Sequence, residues 1–272
     1  MYDLQKKEEI QMFLKRCKVF MLLGMGLLIA PAYGFEVKNL SHAVDVAGKQ
    51  RMFTQRMLKD YALAGQHCQY KDPKSDLVKT ISAFSEHLKA LDDFNKDPET
   101  VKSLRSVMQI WGNIEKRLHE SPDKKLAPQL QKDLEGLLKE SNTATGLFAK
   151  QTGKKSGKII NISGRQRMLS QRMAGLYMFK TWGIDDPEFK KKLHDAMELF
   201  KASHQKLLAY EKNTDEIKEL LEKVGKSFMY FEFANQSETF VPNLICKKAD
   251  EILKNMNTAT GLYAKQGAIE SK

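Results

Sequence analysis

The chain has 272 residues, long enough for one large domain or two small ones. Its 16 Gly and 7 Pro are few beside its Lys, Glu, Leu, Ala and Met, a mixture that favours helices over strands. The formal charge of +11 suits anionic partners, but it is spread along the chain rather than gathered into a basic stripe, which argues against nucleic acid.

Residues 1–34 form a separate object. "KKEEIQMFLKRCK" is a charged leader, and "VFMLLGMGLLIAPA" is an apolar run too short for a comfortable membrane span. Small residues Ala32 and Gly34 then offer a cleavage site before Phe35. The expectation is a signal peptide over 1–34 and a mature chain delivered to the periplasm.

The rest is written twice. "VAGKQRMFTQRM" (46–57) returns as "ISGRQRMLSQRM" (162–173), so that Arg51 and Arg167 are 116 residues apart. "ESNTATGLFAKQ" (140–151) returns as "NMNTATGLYAKQ" (255–266), and Phe84 matches Phe200. Matching blocks in the same order and spacing mark a tandem duplication, with one copy over 35–152 and the other over 153–272.

In chain order, each copy predicts four helices. The first copy places them at 45–65, 75–94 (with Ser75 or Asp76 as cap), 97–120 (Asp97 as cap, Pro98 in the first turn) and 128–150. "QTGKKSGK" (151–158) is either a hinge or a run-through between helices. The second copy places its helices at 160–182, 185–212, 214–236 and 241–265. Short connections make neighbours antiparallel. The predicted fold is all-α: two tandem up-down four-helix bundles.

The repeated cassette is two-sided. On a helical wheel of about 100° per residue, Val46, Phe53, Met57 and Ala64 face the first copy's own bundle, as Ile162, Leu169, Met173 and Tyr177 do in the second. The opposite stripe holds Gly48, Arg51, Met52, Gln55 and Lys59, and in the second copy Gly164, Arg167, Met168, Gln171 and Gly175. A Gly on that stripe costs about 1 kcal/mol relative to Ala unless another backbone comes close. The stripe therefore predicts that the two first helices pair about a pseudo-twofold axis, bringing Arg51 beside Arg167. Two facing guanidiniums repel, so removing either is expected to relieve the fold. A small planar anion between them would accept from both forks. Salt bridges to Asp or Glu are the alternative.

Arg56 and Arg172 lie too far around the helix to join them, and are assigned to salt bridges within their own bundles. Antiparallel packing sets the end of each fourth helix beside the start of the first. Asn142, Thr143 and Thr145, with Asn257, Thr258 and Thr260, are thus supporting donors. Cys68 and Cys246 fall at one end of a parallel pair and are candidates for a disulfide. The sequence offers no CxxC, CxxCH or HExxH pattern, nucleophile–base pair or paired carboxylates. No catalytic residue, metal or cofactor is expected.

The cassette resembles the P-box of periplasmic nitrate/nitrite sensor kinases of the NarX/NarQ type. It is still more similar to the N-terminal domain of PilJ-type methyl-accepting transducers of type IV pilus systems, whose motif reads much like "INISGRQRMLSQRM". The resemblance covers both copies. It implies a sensor that binds a small oxyanion, nitrate or nitrite, through Arg51 and Arg167, with Gly48, Gly164, Gln55 and Gln171 around them. The relay would run through a membrane-bound sensor kinase or chemoreceptor. The other reading is an interaction module of a pilus or chemotaxis system without a small-molecule ligand. Intact-mass measurement of the exported protein should give a chain beginning at or near Phe35. A mass that includes 1–34 would refute the cleavage.

Overall fold

The computed structural model describes residues 35–269 except 69, 154, 185 and 238. The signal peptide expected over 1–34 lies outside them. The described residues hold eight helices and no strand. They are α1 (Leu40–Gly65), α2 (Pro73–Phe94), α3 (Pro98–Leu118), α4 (Ala127–Gln151), α5 (Lys155–Thr181), α6 (Pro187–Leu208), α7 (Asp215–Gln236) and α8 (Pro242–Ile269).

Local chemistry sets the ends. The Asn39 side chain accepts from the His42 amide at 2.9 Å, so α1 starts five residues before the expected position. Asp72, not Ser75 or Asp76, caps α2: its Oδ1 accepts from the Ser75 amide at 3.0 Å, and Pro73 fills the first turn. Asp97 caps α3 as expected. Gly153 has φ +63°, a left-handed conformation that interrupts the chain, so α4 does not run on into α5. α6 stops at Leu208 instead of continuing to 212, because Asn213 Nδ2 donates to the Leu207 carbonyl at 2.7 Å and closes the turn.

Each copy forms its four-helix bundle. α1 packs on α2 and α4, and α3 on α4; likewise α5 packs on α6 and α8, and α7 on α8. The most extensive contact in the molecule is between α1 and α5. These helices run parallel: Gly48 meets Gly164 near their starts, and Gln66 Nε2 donates to the Met178 carbonyl at 2.8 Å near their ends. Phe35–Lys272 is one compact unit, of which the two copies are halves. α1 and α5 are therefore buried on both sides, against their own bundle and against each other. Among the described residues, no helix is long and apolar enough to cross a membrane.

The pseudo-twofold is carried by repeated polar ties. Gln50 Nε2 donates to the Phe84 carbonyl at 3.0 Å, and Gln166 Nε2 to the Phe200 carbonyl at 2.9 Å. Tyr61 Oη accepts from the Asp123 amide, and Tyr177 Oη from the Val241 amide, each at 2.8 Å. These bonds clamp the first helix of each copy to its second helix and to the loop before its fourth.

One ring cluster belongs to the first copy alone. His87 stacks on Phe35 at 4.0 Å and tilts against Phe53 at 5.3 Å, with its Nδ1 buried and unpartnered. Burial, and then the charge of Lys49, push its pKa down to about 4. An unfolded imidazole takes its proton near 6.5 and the folded one only near 4, so between these values the unfolded state binds more protons. Stability should be level with respect to this group above pH 6.5 and fall as the pH drops from 6.5 to 4. Melting curves of wild type and His87→Phe across that window should diverge, with the wild type losing more; parallel curves would exclude the effect.

Candidate functional site

α1 and α5 touch at two glycines. A β-carbon built at Gly48 would stand 3.0 Å from Nη2 of Arg167, 3.4 Å from Nη2 of Arg51 and 3.8 Å from Cα of Gly164. One built at Gly164 would meet the same two nitrogens at 3.0 and 3.3 Å. Both guanidiniums thus converge on one point, in space that any other residue would occupy. Arg51 and Arg167 are each 0% exposed.

Their partners repeat. Arg51 Nη1 donates to Asn142 Oδ1 at 2.9 Å, and Nη2 to the Asn161 carbonyl at 3.1 Å. Arg167 Nη1 donates to Asn257 Oδ1 at 3.2 Å, and Nη2 to the Asp45 carbonyl at 3.1 Å. Each arginine reaches the fourth helix of its own copy and the backbone of the other copy's first helix. In both, Nε is buried without a partner.

The symmetry breaks at one position. Asp45 and Asn161 occupy equivalent places, three residues before the two glycines. Asp45 Oδ1 accepts from Arg167 Nη1 at 2.7 Å, and Lys49 Nζ lies 3.4 Å from Oδ2. Burial alone would raise the Asp45 pKa; Arg167 and then Lys49 more than reverse this and hold it below the usual carboxylate range. Arg51 has only neutral acceptors. Burial, and then the charges of Arg165 and Arg167, pull its pKa down to about 9, and it remains a cation at neutral pH. Two buried guanidiniums and one carboxylate leave a surplus of one positive charge at the crossing.

The other predicted residues fall into groups. Asn142 and Asn257 contact the arginines directly. Thr143 and Thr258 do not: both are exposed and bond the carbonyls of Lys139 and Lys254 on their own helices. Thr145 and Thr260 are buried and likewise bond back to Ser141 and Met256, and Thr260 also meets Ser163 at 2.6 Å. Gln55 and Gln171 are fully buried four residues after the arginines, but their amides reach Thr54 and Ser170, with Gln171 also reaching the Ala249 carbonyl. Arg56 pairs within its own bundle with Asp60 and Asp76, whereas Arg172 crosses to Glu135 of the first copy at 2.6 Å.

The Cys68–Cys246 bridge is not formed. Both thiols are free: Cys68 donates to Asn243 Oδ1 at 3.3 Å, and Cys246 is buried, which pushes its pKa up to about 12. Among the described residues, no group of His, Cys, Asp or Glu is placed to hold a metal.

Sequence reasoning passed over two features. Asp45 was visible as a mismatch with Asn161 between otherwise similar cassettes. Lys59 was placed on the α1 stripe, yet it is 2% exposed and tied to Asp250 of α8 at 2.9 Å and to Asp60 at 3.5 Å. Its equivalent is Gly175, where a β-carbon would come within 3.4 Å of the Lys59 amide nitrogen.

The two arginines are consequently unequal, contrary to the expectation that removing either relieves the fold. Arg167→Met strands a buried carboxylate beside Lys49 alone and should destabilise by about 3–5 kcal/mol. Arg51→Met removes an uncompensated buried charge while keeping most of the volume, and should be neutral or stabilising. Urea unfolding of both variants measures the difference, and equal losses would contradict it.

Comparison with known proteins gives one family. The model of the type IV pili methyl-accepting chemotaxis transducer N-terminal domain matches residues 35–137 and 148–227. No curated protein and no solved structure matches. The first matched segment lies in the first copy, the second runs from the end of the first copy through most of the second, and together they cover more than half of the chain, so the protein belongs to the family of type IV pilus chemotaxis-transducer N-terminal domains, a non-catalytic sensory and interaction family, and carries the domain in tandem.

Proposed function

We propose that the chain is an exported, periplasmic sensory module that binds one small oxyanion, nitrate or nitrite, at the crossing of α1 and α5, and relays its occupancy to a membrane-bound sensor kinase or chemoreceptor. The observation that carries this reading is Arg51: a fully buried guanidinium with no counter-charge, set against a second guanidinium. An anion there would neutralise the surplus charge and accept from the planar forks. Because both arginines come from one chain, one anion binds per chain without dimerisation.

A second reading is a packing and interaction module with no small-molecule ligand. It is favoured by the hydrogen bonds already made by both terminal nitrogens of each arginine to protein acceptors.

Calorimetric titration with nitrate, nitrite, sulfate and chloride at matched ionic strength separates the two. The sensory reading expects selective binding of nitrate or nitrite near one per chain. Arg51→Gln should weaken it roughly ten- to a hundredfold, the loss of one charged hydrogen-bonding partner. Absence of selective binding in the wild type would establish the packing reading.

A further inference from the structure

The two copies treat the space beside their arginines differently. In the first copy it is internally satisfied: Asp45 lies between Lys49 and Arg167, and the Phe53 ring packs on His87. In the second, Asn161 stands for Asp45, Arg165 for Lys49 and Leu169 for Phe53. The side chains of Arg165 and Lys139 have no ion-pair or hydrogen-bond partner among the described residues, and the Asn161 side-chain oxygen is buried without one. Between α4, α5 and α6 a groove of about 490 Å³ opens at Arg165 and Lys139; Asn161 lies one helical turn before Arg165, outside its lining. Its volume lies in the range of about 300–1,000 Å³ usual for small-molecule sites.

The groove is built of two kinds of surface. Arg165 and Lys139 supply positive charge, and Asn142 lines it while its Oδ1 holds Arg51 Nη1 on the buried side. Leu138, Met168 and Leu199 supply an apolar wall, with Leu199 as much as 42% exposed. Its acids are already engaged: Glu135 with Arg172, and Asp195 with Lys191. A nitrate would use the charge and leave the exposed Leu199 side chain in water.

We propose that this groove binds an organic monocarboxylate with an apolar body. The head would pair with Arg165 and take the Arg51 hydrogen bond now given to Asn142, and the body would lie on Leu138, Met168 and Leu199. The inference rests on the reading of the crossing as an anion site and assigns it a larger ligand entering between α4 of the first copy and α5 and α6 of the second, on the Arg51 side only. The pseudo-symmetric place beside Arg167 needs none, since the Asp45 carboxylate already occupies it.

Titration of the full chain with acetate, butyrate, hexanoate and neutral hexanamide tests this. Affinity should rise about fourfold for each added methylene, following the free energy of burying one, and hexanamide should not bind. Arg165→Gln should lower hexanoate affinity at least tenfold. Arg165 is only half-buried, so this variant keeps the fold. Asn161→Asp supplies the missing acid, as Asp45 does in the first copy. It should raise the melting temperature and abolish hexanoate binding. Equal affinities for acetate and hexanoate, or undiminished hexanoate binding in Arg165→Gln, would overturn the inference. If nitrate binds and hexanoate does not, the inference fails while the small-oxyanion reading stands. If neither binds, both fail. Hexanoate binding without nitrate binding upholds the groove and removes the small oxyanion as ligand.

Discussion

The contact between Gly48 and Gly164 is the constraint on which the rest of the molecule depends. Only with no side chain at either position do α1 and α5 approach closely enough for Nη2 of both arginines to share the space a β-carbon would fill. That approach buries both faces of both helices, and this is why the cassettes carry so many polar residues that are nonetheless inaccessible. Each must then find a partner inside the protein. Gln50 and Gln166 find helix-two carbonyls, and Thr54 and Ser170 find the carbonyls of Arg51 and Arg167. The arginines find the opposite backbone. The order Gly, Gln, Arg in each cassette is the order of these tasks along one turn of helix.

Duplication within one chain allows what a symmetric pair of chains does not. Two identical subunits facing each other would carry the same residue at positions 45 and 161, and the buried charge would be even-handed. Here one side has a carboxylate and the other an amide. The same freedom appears further along the helices, where the Lys59 backbone lies against Gly175 and the Lys59 side chain reaches the fourth helix of the other copy through Asp250. Asp250 also takes Lys71 and Tyr70, and with Lys59 beside it its pKa is held down to about 2 despite burial. The lower end of the assembly is thus fastened by a saturated ion cluster, and the upper end carries the surplus charge.

The helices, their order and their pairing were legible because each rests on a periodic or repeated signal. The two-sided cassette predicted the α1–α5 contact, and Asp97–Pro98 predicted a helix start. Helix ends governed by a single side chain were less so. Asn39, Asp72 and Asn213 act through one hydrogen bond each, and Ser75 or Asp76 looked equally good as a cap. At the site, the wheel selected both arginines and both glycines, but it treated the two copies as equivalent. Their inequality depends on whether the residue three places before the glycine meets a guanidinium across the interface, which one helix considered alone does not contain. Thr143, Thr145 and Thr258 of the two "NTATG" copies were misjudged for a related reason: a hydroxyl inside a helix has a carbonyl of its own within reach four residues back, and each took that bond.

The burial of Arg51 also bears on how occupancy would be felt at a distance. A surface arginine that meets an anion changes little, because water already screens it. A fully buried one without a counter-charge destabilises the arrangement that contains it. Anything that neutralises it favours that arrangement over others in which α1 and α5 sit differently, by as much as its preference for one over the other. The helices involved extend from the crossing to the Lys59–Asp250 cluster and are packed along that length. A change in their spacing at the glycines is therefore conveyed to both bundles by the same contacts that hold the halves together, and the pair proposed to take an anion is also the pair through which its arrival would be transmitted.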